Sequence, residues 1–252
     1  MFDKFLKLFG EKEEHHPVPV DYSGVVVEFH NHILPGIDDG AKTIDDSIMM
    51  LRQFEQLGYK KVVATPHSMA EGYVNPNDKI LKLRDEVREA IAKNSIQLEF
   101  DAAAEYYFDE AFLEKVAKKD LLCISKNFVL MELNFSLRPN NLNEVIYKLQ
   151  VADYNLILAH PERYSFFYEK DFESYESLKN RGVYFQINLG SLIGKYGAPA
   201  KYTAEKMIDL GMVEFVGSDL HTPNQSEMMQ KCLKEKYLGK LLASGKLLNP
   251  TL

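Results

Sequence analysis

Only two cysteines occur in the sequence, Cys123 and Cys232. They lie too far apart for a CxxC motif and are too few for a disulfide framework, so a stapled secreted fold is excluded and a reducing, cytoplasmic setting is expected. Neither heads a CxxxxxR phosphate loop, because Val129 and Leu238 stand at the sixth positions after them. A cysteine nucleophile is thereby disfavoured. Positive charge is also short: 30 Lys and Arg against 37 Asp and Glu leave a net charge of −7. That balance gives no broad basic surface for a phosphate backbone, so nucleic acid is not an expected partner. No apolar run approaches the roughly 20 residues needed to span a bilayer, and the N-terminus lacks a signal peptide's long apolar core and small-residue cleavage site.

What is present suits a globular protein. A chain of 252 residues, 46% of them hydrophobic, can bury a sizeable core. Residues 1–24 read as an appended arm, with Phe2, Phe5, Leu6 and Phe9 at helical spacing before a polar stretch that carries His15 and His16. From residue 25 to the end the pattern alternates. Seven β-rich runs are spelled by VVVEF (25–29), KVVAT (61–65), IQLEFDAA (96–103), NFVLMEL (127–133), LILA (156–159), VYFQIN (183–188) and VEFVG (213–217). Helical patterns lie between them. Thr43 is placed to cap a helix that Gly58 ends, Ile80, Leu83, Val87 and Ile91 mark a second, and others fall near 109–119, 141–153, 170–181, 200–210 and 225–243. Apolar strands alternating with helices predict one α/β domain whose parallel sheet is covered by helices and is either open or closed into a barrel.

In such folds the loops beyond the strands' C-terminal ends form one functional face. His30, His32, Asp38 and Asp39 follow the first strand, His67 the second, and Glu105 lies in or after the third. Glu132 follows the fourth, His160 and Arg163 the fifth, Asn188 and Ser191 the sixth, and Asp219 and His221 the seventh. Five of the seven histidines therefore share one edge. One histidine at a strand end has an ordinary explanation as a hydrogen-bonded structural residue, and one acid there is commonly a helix cap. The combination of HxH, DxH, two further histidines and neighbouring acids is not explained that way; it predicts a metal site.

The mixed imidazole and carboxylate donors suit Mn, Fe or Zn. Nine candidate ligands, His30, His32, Asp39, His67, Glu105, Glu132, His160, Asp219 and His221, exceed what one ion can use, so two or three ions are implied. Multinuclear sites suit phosphate ester hydrolysis, and Arg163 offers a planar bidentate contact to phosphate. Its ordinary alternative is a salt bridge to a nearby acid.

Taken in order, HNHILPGIDDG, ATPH, AEYY, AHPER, QINLGSL and GSDLHT resemble the PHP (polymerase and histidinol phosphatase) superfamily. Within it they look most like the bacterial manganese-dependent protein-tyrosine phosphatases of the CpsB/YwqE type, over roughly residues 25–245. The resemblance implies a distorted (β/α)7 barrel with three metal ions. His30, His32, Glu105 and Asp219 would hold one; Glu105 would bridge to a second held by Glu132 and His160; Asp39, His67 and His221 would hold the third. Arg163 and His221 become the candidate catalytic residues. The implied reaction is one-step hydrolysis of phosphotyrosine by hydroxide generated at the metals, on a protein such as a tyrosine kinase of capsular or exopolysaccharide export.

Two positions depart from that pattern. Relatives usually carry Asp where this chain has Glu28, a change expected to touch the strand's outer support more than the metals. Several relatives also place a second phosphate-binding Arg soon after DxH, whereas HTPNQSEMMQKC has none. Arg138, in the fourth strand's loop, is the candidate substitute. The alternatives are a phosphatase for a small phosphomonoester such as histidinol phosphate, and a metal-binding regulatory protein whose catalysis has decayed. Oligomeric state is left open.

Overall fold

Nine short strands and nine α-helices alternate through a computed structural model that describes residues 19–168 and 171–252. The N-terminal amphipathic stretch lies outside the described residues. The strands are β1 (Val27–Glu28), β2 (Lys61–Ala64), β3 (His67–Ser68), β4 (Glu99–Ala102), β5 (Glu105–Tyr107), β6 (Phe128–Glu132), β7 (Asn155–Ala159), β8 (Tyr184–Asn188) and β9 (Phe215–Gly217). The helices are α1 (Ile44–Gln56), α2 (Asn77–Lys93), α3 (Glu110–Lys118), α4 (Leu142–Val151), α5 (Glu173–Asn180), α6 (Leu189–Leu192), α7 (Ala198–Asp209), α8 (Ser226–Cys232) and α9 (Lys236–Ala243). Among the described residues no helix is long and apolar enough to cross a membrane.

All seven expected strands form, and two more continue them. Every pairing is parallel, in the orders β1-β2-β4 and β3-β5-β6-β7-β8-β9. β3 and β5 extend the lines of β2 and β4 past a short break. Pro66 brings no N–H to the ladder there, yet its carbonyl accepts from Glu105 N at 3.0 Å and the Ala64 carbonyl accepts from Ala103 N at 2.8 Å. His67 is thus held in register with Glu105 on a strand rather than on a free loop.

The first and last strand lines meet. Asp219 N donates to His30 O at 2.8 Å and His32 N to Leu220 O at 2.9 Å, which brings the seven strand lines round to a ring. Lower down this seam side chains replace the ladder. The buried Glu28 carboxylate accepts from Ser218 N and from His30 N. Asn249 accepts from Val216 N and donates to the carbonyls of Val27 and Val216. Glu28 therefore supports the strands and touches no candidate ligand side chain through these bonds. Asn249→Ala would strand three buried backbone groups and is expected to destabilise the fold by about 2–4 kcal/mol. Chemical denaturation checks this; an unchanged midpoint would show that the seam does not depend on Asn249.

Two apolar clusters result. The smaller contains Val27, Phe29, Val63, Ala103, Leu130, Ile157, Ala159 and Phe215, with none of its buried members on an α-helix, and fills the inside of the ring. The larger lies between strands and helices and takes in Leu51 and Phe54 of α1 and Met207 of α7. Thr43 caps α1 through a reciprocal pair with Asp46, and Gly58, at φ 95°, ends that segment as expected. The helix expected over 225–243 divides into α8 and α9. In one continuous helix Leu241 would sit opposite Cys232, nine positions away; the break lets both be buried.

Candidate metal centre

The strand ends deliver all nine candidate ligands to one place. His30 and His32 leave β1 pointing at Glu105: His30 Nε2 lies 3.2 Å from Oε1 and His32 Nε2 3.5 Å from Oε2. His160, just past β7, puts its Nε2 3.3 Å from the same Oε1. His67 Nδ1 lies 3.2 Å from both Glu105 Oε2 and Glu132 Oε1. Asp219 Oδ1 is 3.6 Å from His30 Nε2, 3.4 Å from His32 Nε2 and 3.5 Å from His221 Nδ1. Asp39 Oδ1 is 3.6 Å from Nε2 of both His67 and His221.

Four overlapping donor sets follow, each with its atoms within 4.8 Å of one another: His32, Asp39, His67 and His221; His30, His32 and Glu105; His30, His160 and Asp219; His67, Glu105 and Glu132. Two of the groupings implied by resemblance recur, Asp39 with His67 and His221, and His30 with His32 and Glu105. Here Asp219 also groups with His160, and Glu132 with His67.

The local chain geometry is built for this convergence. A Cβ on Gly40 would lie 2.0 Å from His32 O, and one on Gly217 would lie 2.5 Å from His30 Cβ, so only glycine lets those backbones approach the histidines. His160 and Asp219 adopt left-handed φ angles of 33° and 53°, a strain that surrounding structure must hold in place.

A further layer fixes each ring. His30 Nδ1 meets Gln186 Oε1 at 2.6 Å, leaving Nε2 for the centre, and His32 Nδ1 meets Asp38 Oδ2 at 2.8 Å. Gln186 donates to Asn188, which donates to Asp219 Oδ2 at 2.7 Å. That oxygen also takes Arg163 Nη1 at 3.0 Å and Tyr196 Oη at 3.3 Å, so Asp219 presents only Oδ1 to the histidines. The Arg163 guanidinium lies between Phe135, 4.5 Å from its ring centroid, and Tyr196, at 4.0 Å. The salt bridge considered for Arg163 is thus present, and it uses one of five donors. Arg138 instead donates to Ser174 Oγ and lies over Phe167.

Sequence reading missed Gln186, Glu162, Tyr196, Phe135 and Lys195, and it noted Asp38 and Asn188 without a role. A signal existed for two of them. Tyr184, Gln186 and Asn188 alternate along β8 and so share one face, polar where a ring interior would be apolar. Buried Glu162 accepts from Asn188 N and Ser191 Oγ, and burial pushes its carboxyl up to about 7 despite those bonds. The Lys195 ammonium stands 5.0 Å from the Tyr196 ring centroid, where burial lowers its pKa.

The buried imidazoles and carboxylates strongly shift one another's ionisation. Burial opposes charge on Glu105 and Asp219, yet the surrounding imidazoles, His30 foremost, hold both carboxyls well below their usual range. Burial likewise disfavours charge on His30, and Glu105 and Asp219 outweigh it, pushing the imidazole up to about 9. His160 goes the other way, lowered by burial and by Arg163. Nε2 of His30 and of His32, Nδ1 of His67 and both carboxylate oxygens of Glu105 are buried and face one another and His160, Glu132 and Asp219 at 3.2–3.6 Å, with no well-directed hydrogen bond among the described residues. Such groups are costly unless something binds them, and these donors are the imidazole and carboxylate set that divalent metals prefer. The residues present fit a multinuclear metal centre.

The capsular polysaccharide synthesis CpsB/CapC family model matches residues 26–245, the span that carries every strand and all nine candidate ligands. The chain belongs to the CpsB/CapC family. CapC of Staphylococcus aureus is 30% identical over 215 residues, 84% of each chain. Tyrosine-protein phosphatase YwqE of Bacillus subtilis is 30% identical over 197 residues, 78% of this chain and 77% of its own. A crystal structure from the pair YwqE of Bacillus subtilis and CpsB of Streptococcus pneumoniae, described as metal-dependent tyrosine phosphatases, superposes with a TM-score of 0.77 at 29% identity. It covers 87% of this chain and 90% of that one. Histidinol phosphate phosphatase of Lactococcus lactis, solved with zinc, L-histidinol and phosphate, shares the fold at a TM-score of 0.51 and 10% identity, covering 84% of this chain and 93% of its own. The CpsB/CapC chain is therefore an α/β protein of parallel strands that shares its fold with these phosphatases.

Proposed function

We propose that the chain is a metal-dependent protein-tyrosine phosphatase whose centre holds two or three divalent ions, Mn first, with Fe or Zn as alternatives. The observation that carries this is the convergence of buried imidazole and carboxylate donors on Glu105, with no well-directed hydrogen bonds among them, beside an arginine clamped between two rings. We assign His30, His32, Glu105 and Asp219 to one ion, Glu105, Glu132 and His160 to a second, and Asp39, His67 and His221 to a third. When bound, such ions lower the pKa of water to supply hydroxide and neutralise phosphoryl oxygens.

The chain's own residues do the rest. Arg163 keeps a fixed plane through its stacking on Phe135 and Tyr196 and turns its remaining N–H donors to the phosphoryl group. Asp219 is oriented by Asn188, Tyr196 and Arg163, and His221 stands beside the same residue, its Nδ1 3.0 Å from Asp219 O and 3.5 Å from Asp219 Oδ1. A tyrosine leaving group, with a pKa near 10, needs less protonation than an alkyl alcohol, so no dedicated acid is required. Names and functions of the relatives support phosphotyrosine in a protein as substrate, and family membership supports a tyrosine kinase of capsule export as the partner. The free thiols of Cys123 and Cys232 suit a reducing compartment, and the proposal places the enzyme in the cytoplasm.

The reading is tested by kcat/KM on a phosphotyrosine peptide and on histidinol phosphate with the Mn²⁺-loaded protein. A preference for the peptide is expected. A preference for histidinol phosphate would replace it with the small-molecule phosphatase, and activity on neither would leave the regulatory reading.

A further inference from the structure

Phe135 is a large aromatic residue that the fold leaves 40% exposed at a place where everything around it is fixed. Its carbonyl accepts from both Ser165 N, at 3.0 Å, and Ser165 Oγ, at 3.1 Å. The preceding Asn134 accepts from the N–H groups of Ser136 and Leu137, which closes the turn after β6. Just before the turn, Leu133 N donates to the buried Tyr164 hydroxyl, itself bonded to Ala159 O. The ring is thus presented to solvent by an anchored turn and is not an untethered loop residue.

Its neighbours give that exposure a direction. One part of the ring stacks on His160 at 5.5 Å and 26°, and the Arg163 guanidinium lies 4.5 Å from its centroid. A phosphoryl group held by Arg163 carries its ester oxygen beside Phe135. In an aryl phosphate the aromatic ring is attached directly to that oxygen, whereas in an alkyl phosphate a flexible, nonaromatic carbon occupies the position. Tyr73 stacks on His67 at 5.5 Å and 12° on the other side of the centre, with no guanidinium beside it in the described contacts. Two aromatic rings adjoin the phosphate-directed cation: Tyr196, at 4.0 Å, is engaged through its hydroxyl with Asp219, and Phe135, at 4.5 Å, is the one that the fold leaves 40% exposed.

We propose that Phe135 is the platform for the leaving-group ring of the substrate and sets the preference for aryl over alkyl phosphates. The ring of the bound ester stacks against the exposed part of Phe135 while Arg163 holds the phosphoryl oxygens. Aromatic pairs of this kind contribute enough to change affinity by about three- to tenfold. The inference rests on the phosphatase reading, and its test does not use turnover.

Binding of phenylphosphonate and of methylphosphonate to the Mn²⁺-loaded protein is measured by calorimetry for wild type, Phe135→Leu and Phe135→Tyr. Phe135→Leu should lower the ratio of phenylphosphonate to methylphosphonate affinity by about three- to tenfold, beyond whatever loosening of Arg163 both ligands share, and Phe135→Tyr should restore the ratio. Equal weakening of both ligands would overturn the proposal, because Phe135 would then act only by supporting Arg163 or His160. Unchanged affinity for both would overturn it as well. Failure of the tyrosine-phosphatase reading shows separately, as absence of turnover on a phosphotyrosine peptide by wild type.

Discussion

Glu105→Gln should lower turnover of a phosphotyrosine peptide by at least about a thousandfold and deplete the protein of divalent ions. Glu105 is the hub of the centre: its two oxygens face His30 and His160 on one side and His32 and His67 on the other. Glutamine keeps the shape but replaces an anion by a neutral amide, one end of which is a donor aimed at imidazoles. The four rings then lose the charge that draws cations between them; Asp219 makes close pairs with only His30 and His32 of the four and Glu132 with only His67 and His160, so among the described residues no other carboxylate approaches all four. Since Glu105 is 1% exposed, folding must be checked alongside; an unchanged circular dichroism spectrum with lost metal and lost turnover is the expected combination. Near-normal activity with full metal content would remove Glu105 from the bridging position.

Arg163→Lys should have the second largest effect, about a hundredfold in kcat/KM, with metal content preserved. Lysine keeps the charge. It cannot fill the flat slot between Phe135 and Tyr196, and its ammonium offers no planar pair of donors. Ground-state binding of the phosphoryl group is lost together with contacts that strengthen as charge builds in the transition state, so both KM and kcat should worsen. Retained affinity for inorganic phosphate in this variant would contradict the role. Loss of metal would mean that the 3.0 Å contact with Asp219 matters more than contact with substrate.

The ring of strands and its functional edge were legible because both rest on strong patterns. Apolar strand runs punctuated by helices fixed the element order, and five histidines placed after strands reported where the ends converge. The hidden parts are those where one residue does a job that sequence cannot mark. Asn249 closes the seam through three hydrogen bonds, yet near the C-terminus it reads as an ordinary turn residue. β3 and β5 are too short to show periodicity, and Pro66 disguises the first as a loop. Of the two acids in LPGIDDG, Asp39 is expected as a ligand and Asp38 has no expected role; the structure supplies one. Buried Asp38 holds His32 Nδ1 and His67 N, while half-exposed Asp39 faces His67 and His221 with its Oδ1. Glu28, the departure in VVVEF, falls where strand support is expected of it, bonded to backbone N–H groups of the last strand line and of His30.

The buried imidazoles and carboxylates that converge on Glu105 are there to hold the divalent ions that phosphotyrosine hydrolysis needs. Metal content and phosphotyrosine-peptide turnover, followed together through chelation and readdition of Mn²⁺, test it most directly. The account predicts two or three ions per chain, activity that falls to background as they are withdrawn, and recovery on readdition. Full turnover by the metal-stripped protein would contradict it.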